Sequence, residues 1–208
     1  PVRLRAEAIA PLQNKVGAFL ANPYLYPILT QPTSAFDLRK IMDEGKVLLV
    51  NLAKGKIGED TAALLGGLLV ARIALSATSR ADIPESQRKD FYLYLDELQT
   101  CPTTIIANML SELRKYHCGI VLSNQFLFQL DPQLKSAILC NVGTLISFRV
   151  GLEDALTLEK EFYPVFQAED LIRLPNYHIY LKLMVDGKPT EPFSAVTVPT
   201  DWAPNYLG

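Results

Sequence analysis

Four short apolar runs, at residues 46–52, 91–95, 119–123 and 144–148, recur along the chain with segments of helical periodicity between them. No other feature constrains the fold as strongly. Runs that are apolar without alternation belong to strands buried on both faces. Strand, helix and strand following one another at these lengths build crossover units around a mostly parallel sheet covered by helices on both faces, so the expected class is α/β. Asp60 is placed to cap a helix over 60–78 that is apolar nearly all round. A polar connector over 80–90 leads to the second run. An amphipathic helix over 103–116 turns Ile105, Ile106, Met109, Leu110 and Leu113 inward, with Gly119 suited to its end. Asp131-Pro132 opens a short helix to Cys140, and helix resumes over 153–161.

The two ends differ from this middle. Residues 177–185, a turn at Asp186-Gly187-Lys188 and residues 193–198 read as a β-hairpin added to the sheet edge. At the start, Pro11 suits the first turn of a helix over 11–22, after a helical lead-in at 2–10. Pro23, Pro27 and Pro32 argue for a loop crossing rather than regular helix or strand. A loop containing Gly55 and Gly58 follows the first run. The expected organisation is a helical, proline-rich N-terminal segment at 1–45, an α/β core at 46–176, and a hairpin with tail at 177–208.

Composition narrows the function classes. The chain of 208 residues carries 20 basic and 22 acidic side chains, a net charge of −2. A dedicated DNA-binding domain usually has a basic surplus, so any DNA contact here is expected to be local. Cys101, Cys118 and Cys140 are odd in number and widely spaced, which gives neither a disulfide framework nor metal spacing and favours a reducing compartment. The longest apolar stretch, 61–77, is interrupted by Gly66, Gly67 and Arg72 and falls short of the ~20 residues of a bilayer span. No secretory leader pattern opens the chain, and its first residue is proline, as expected of a piece of a longer protein.

In an open parallel sheet, ligands sit beyond the carboxyl ends of the strands. The second run delivers Asp96 and Glu97 there. Two adjacent carboxylates on a buried strand have the form of a Walker B strand, in which the first holds Mg²⁺ and the second polarises the attacking water; the plainer alternative is a strand cap and turn. The third run delivers Asn124 and Gln125. A helix and a strand fill the interval, so Gln125 can stand beside the pair and reach a γ-phosphate or its attacking water. Arg114, at the end of the intervening helix, is a candidate arginine finger reaching a neighbouring subunit, or a partner of the helix dipole. Arg149, after the fourth run, is its rival for nucleotide phosphate or a partner of Glu153 or Asp154.

The phosphate-binding loop is missing. Gly45-Lys46, Gly55-Lys56 and Gly187-Lys188 are the Gly-Lys pairs, and none is followed by Ser or Thr. His117 and His178 are too isolated for a metal cluster, and neither a nucleophile elbow nor a GxGxxG fingerprint is present. A metal-dependent nuclease would need carboxylates beyond Asp96 and Glu97.

The runs at 46–60, 91–99, 110–116, 122–125 and 146–155 resemble the C-terminal half of HerA/FtsK-type P-loop ATPases, most of all the TraG/TraD-like conjugative coupling proteins and type IV secretion ATPases. The resemblance spans residues 1–198. It implies a RecA-like motor domain in a hexameric ring that uses ATP and Mg²⁺ to pump DNA through a central pore, with secretion or relaxosome proteins as further partners. On that reading Asp96 is the Walker B Mg²⁺ ligand, Glu97 the catalytic base, Gln125 the sensor, and Arg114 the trans-acting finger. The family's Walker A segment lies N-terminal to all of these, so the chain is expected to be part of a motor and inactive alone. The parent would be bacterial and cytoplasmic, either soluble or held at the inner membrane by an N-terminal anchor. The alternative function is a non-catalytic ATPase-fold module that recruits partners or substrate.

Overall fold

The computed structural model describes residues 9–10, 16–17, 19–98 and 103–199. The expected helices over 2–10 and 11–22 fall mostly outside these residues, although 16–17 and 19–21 are helical. Contacts divide the chain into two units, Pro1–Tyr94 with Thr100–Val121, and Leu95–Gln99 with Leu122–Gly208.

In the first unit, helices α1 (Leu25–Leu29), α2 (Leu38–Glu44), α3 (Lys54–Ile57) and α4 (Glu59–Ser79) precede strand β1 (Phe91–Leu95), and helix α5 (Thr103–Glu112) precedes strand β2 (Cys118–Leu122). Helix α1 corrects the expected loop crossing. Pro27 lies in its first turn, where a backbone N–H would have no helical partner anyway. Asn22 secures that turn: its side-chain oxygen accepts from the Tyr24 and Leu25 amides at 2.9 and 3.1 Å, and its amide donates to Thr61 Oγ1 at 2.9 Å. Helix α2, not anticipated, has clear end signals. The Asp37 carboxylate accepts from the Arg39 and Lys40 amides, and Gly45 closes the helix at φ 72°.

Helix α4 runs for 21 residues and buries Thr61, Ala62, Gly66, Gly67, Val70, Ile73 and Ala77. With the turn that follows, it is long and apolar enough to cross a membrane, longer than the stretch expected from sequence. Within its unit it is the core helix, packed by α2, α3 and α5. A Cβ on Gly66 would stand 3.2 Å from Leu52 Cδ1, so that glycine admits the neighbouring chain.

Residues 46–52 correct a second expectation. They form no strand, and Val47 and Leu49 are 85% and 90% exposed. An apolar run becomes a strand only where a neighbour accepts its N–H and C=O groups, and no such partner is paired with it among the described residues.

Strands β1 and β2 pair in parallel: Phe91 N–H donates to His117 O and Ser123 N–H to Leu95 O, both at 2.9 Å. Leu93 is buried while Tyr92 and Tyr94 are 58% and 72% exposed, so β1 is covered on one face rather than the expected two. Helix α5 buries Ile106 and Met109, and Leu113 just after it is buried as well, whereas Ile105 and Leu110, also expected inward, are half-buried. It tightens into a 3₁₀ turn, Leu113–Tyr116, which stops at His117 with φ 55°. Gly119 therefore does not end the helix. It lies within β2, where a Cβ would be 2.8 Å from the Tyr92 ring.

Cys118 opens β2 and is buried, which pushes its thiol up to about 11, against the opposing influence of Arg80. Cys140 is exposed. With Cys101 replaced by serine, a thiol reagent at pH 8 is expected to modify Cys140 at least ~100-fold faster than Cys118, because only about one Cys118 in a thousand is thiolate there. Equal labelling rates in mass spectrometry would contradict the packing of β2.

The second unit holds helices α6 (Pro132–Asn141), α7 (Leu152–Phe162) and α8 (Ala168–Arg173), and strands β3 (Leu145–Ser147), β4 (His178–Lys182), β5 (Met184–Val185), β6 (Lys188–Pro189) and β7 (Phe193–Val196). Asp131 caps α6 by accepting from the Gln133 and Leu134 amides, with Pro132 at the first position as its sequence predicts. The fourth apolar run is shorter than expected and antiparallel: Leu145 opposes Lys182 and Ser147 opposes Tyr180. The C-terminal hairpin forms, with Ile179 opposite Ala195. Asp186 and Gly187, both at positive φ, turn β5 into β6. Ala155, Leu158, Phe162 and Leu171 form the core, where Phe166 stacks on Tyr180 with centroids 3.7 Å apart.

Candidate functional site

The site is assembled where β1 and β2 run out, and its parts belong to the second unit. Ser123 joins the two tips: its N–H donates to Leu95 O at 2.9 Å and its carbonyl accepts from the Leu98 N–H at 3.3 Å. Leu98 is 1% exposed, an apolar pin that sets the turn after the strand. Between these anchors the chain must present two successive carboxylates, and it does so by placing Glu97 at φ 55°. A left-handed conformation is uncommon for a residue with a Cβ outside Asn and Asp, and persists where surrounding contacts over-determine it, as at functional sites.

Asp96 is exposed, and its Oδ1 accepts from the Glu97 N–H at 3.1 Å. The Gln125 side-chain amide donates to Glu97 Oε1 at 2.7 Å. The pairing across adjacent strand tips that the sequence spacing allowed is therefore present. The amide donor on a carboxylate oxygen restrains the rotation of the Glu97 side chain. Asn124 donates to Phe126 O at 2.6 Å and curls the loop behind Gln125.

The two arginine candidates lie elsewhere on the chain. Arg114 is exposed in the 3₁₀ turn of the first unit and makes no ion pair among the described residues. Arg149 is exposed in the bend after β3, again without an ion pair among the described residues. Asp154, the partner considered for Arg149, is 5% exposed and serves a different purpose: its Oδ2 accepts from the Leu127 N–H at 2.9 Å and its Oδ1 from the Phe128 N–H at 3.1 Å. Nothing in the sequence separates Asp154 from an ordinary acidic residue in a helix's first turn, because its partners come from a loop 26 and 27 residues away.

Among the described residues, no group of three or more His, Cys, Asp and Glu side chains is placed to hold a metal ion. Mg²⁺ does not require one. It is usually held by one or two carboxylates together with substrate phosphates and waters, and the exposed Asp96 carboxylate fits that donor set.

No protein-family model matches the chain, and the search of curated proteins gives no match. Solved structures do match. The plasmid coupling protein TrwB, in complex with the non-hydrolysable GTP analogue GDPNP, superposes with a TM-score of 0.62 at 18% identity, covering 85% of this chain and 46% of TrwB. TrwB with ADP and Mg²⁺ matches equally well, at 0.62 and 18%. The genome packaging NTPase B204 from Sulfolobus turreted icosahedral virus 2, in complex with AMPPCP, gives a TM-score of 0.52 at 15% identity, covering 88% of this chain and 92% of B204. The chain thus has the α/β fold of these nucleotide-binding proteins, and the likeness to conjugative coupling proteins holds at the level of fold. It spans about half the length of TrwB.

Proposed function

We propose that this chain is the Walker B half of a ring-forming, DNA-translocating ATPase of the conjugation or type IV secretion kind, whose phosphate-binding segment lies N-terminal to residue 1. The observation that carries this reading is the 2.7 Å bond from Gln125 to a Glu97 held in the left-handed region, at the tips of two parallel strands. The shared fold with TrwB and B204 supports it.

Bound ATP and Mg²⁺ would supply the scissile phosphoanhydride and neutralise its charge. Asp96 is the residue that would hold the metal. Glu97 takes a proton from the attacking water, and Gln125 holds the Glu97 carboxylate in one orientation while its own carbonyl oxygen is available to that water. Arg114 fits the part of a finger offered to the neighbouring subunit of a hexamer, being exposed in the turn that follows α5; Arg149 remains the alternative phosphate contact in the second unit. DNA would be met in the pore of the ring, in keeping with a net charge of −2 that leaves little general attraction for a polyanion. The parent would work in the bacterial cytoplasm or at the inner membrane.

A second reading, a non-catalytic module of the same fold, is favoured by one feature: none of the chain's Gly-Lys pairs is followed by Ser or Thr. The two separate on the full-length protein. Reading the coding sequence upstream of residue 1 is expected to reveal a strand followed by GxxxxGK[ST], and the full-length protein is expected to hydrolyse ATP with Mg²⁺ and double-stranded DNA. Failure to bind a fluorescent ATP analogue would favour the non-catalytic module.

A further inference from the structure

We propose that Asp154 is a positioning residue for Gln125, holding the loop through which Gln125 reaches Glu97. The proposal rests on the reading of Gln125 as a participant in phosphoryl transfer. Both oxygens of the Asp154 carboxylate are committed to consecutive backbone amides, Oδ2 to Leu127 at 2.9 Å and Oδ1 to Phe128 at 3.1 Å, at the start of the 3₁₀ turn Leu127–Gln129. Those amides lie two and three residues beyond Gln125. Asp154 is 5% exposed, and the next residue on α7, Ala155, is part of the fully buried core of the second unit. Leu127 packs against the same core. The side chain is therefore a rigid peg rather than a surface cap. Water has little access to replace it, so a loop without it leaves two amides unsatisfied. The chain of contacts runs from α7 through Asp154 to the loop, then through Gln125 to Glu97 at 2.7 Å.

The carboxylate is required because of its acceptor count. Asparagine offers one acceptor oxygen and turns an NH₂ group on the other amide. A second route to the same cut leaves Asp154 intact. Leu127→Pro removes the N–H that Oδ2 accepts, at the first position of the 3₁₀ turn, and Phe126 already has the extended backbone that precedes proline well, at φ −140° and ψ 118°.

The test has two readouts. In the chain labelled with ¹⁵N, the Gln125 side-chain amide, assigned by its loss in Gln125→Met, is expected to resonate away from the solvent-exposed position because it donates to a carboxylate. In Asp154→Asn and in Leu127→Pro it is expected to move to that position while the signals of β4 and β7 stay in place. An unmoved Gln125 signal in whichever variant folds would overturn the proposal. In the full-length protein, Asp154→Asn is expected to lower kcat about tenfold with ATP affinity unchanged, as for other residues that orient a reacting group from behind. If the Gln125 signal moves and kcat does not, positioning by Asp154 stands and the role of Gln125 in turnover fails. A loss of affinity and kcat together would instead mark Asp154 as structural alone and overturn the proposal.

Discussion

Replacing Glu97 by glutamine in the full-length protein is expected to abolish ATP turnover, lowering kcat about 10³-fold, while Mg·ATP binding stays within about twofold. The expectation follows from what the substitution keeps. Glutamine has the same length and can still offer an oxygen to the Gln125 amide, which lies 2.7 Å from Glu97 Oε1 in the native chain. The backbone at φ 55° is flanked by the main-chain hydrogen bonds of Ser123 to Leu95 and Leu98, which the substitution leaves in place. What is lost is the carboxylate proposed as proton acceptor, and general-base catalysis is worth about 10²–10⁴ in rate. Phosphate release and equilibrium binding of a fluorescent ATP analogue, measured side by side, separate the two effects. Hydrolysis by Glu97→Gln at the wild-type rate would sink the assignment of Glu97 as base, and with it the reading of the strand as Walker B.

The largest stability effect is expected from Arg80→Ala. Arg80 is fully buried and fans out to three partners: Nη1 donates to Tyr116 O at 2.9 Å, Nη2 to Lys89 O at 2.6 Å, and Nε lies 3.1 Å from Asp43 Oδ1. The two carbonyls lie two residues before β2 and β1, so one guanidinium from the end of α4 fastens the entry points of both parallel strands. Asp43 is itself paired with Arg39, which also holds Asp82 at 2.7 Å. Removing a partner from a buried charge network costs about 3–5 kcal/mol, and the one-third exposure of Asp43 places this site toward the lower end. Protection of the β1 and β2 amides against hydrogen exchange is expected to fall at least ~100-fold, while β4 and β7 keep theirs. A loss below about 1 kcal/mol would mean that water replaces the guanidinium at those carbonyls.

How far the site was legible can be followed residue by residue. Asp96, Glu97 and Gln125 were readable because strand ends in an α/β sheet are set by local pattern: an apolar run stops where polar residues begin. Their meeting was readable because α5 and β2 fill the interval with elements of known rise. The left-handed Glu97 was not, since its conformation is imposed by Ser123 and Leu98 closing on it. Asp154 was not, since its partners are main-chain groups that carry no residue-specific signal.

The same division runs through the fold. Local pattern determined helices α4, α5, α6 and α7, strand β1, the C-terminal hairpin and the polar strand tips, because periodicity, caps and turn residues act over a few neighbouring positions. Tertiary structure decided whether an apolar run became a strand and with what partner. Residues 46–52 and 144–148 are both apolar runs, yet the first is a mostly exposed segment that forms no strand and the second supplies a strand antiparallel to β4. A β-strand is completed by hydrogen bonds to another part of the chain, whereas a helix satisfies its backbone from within.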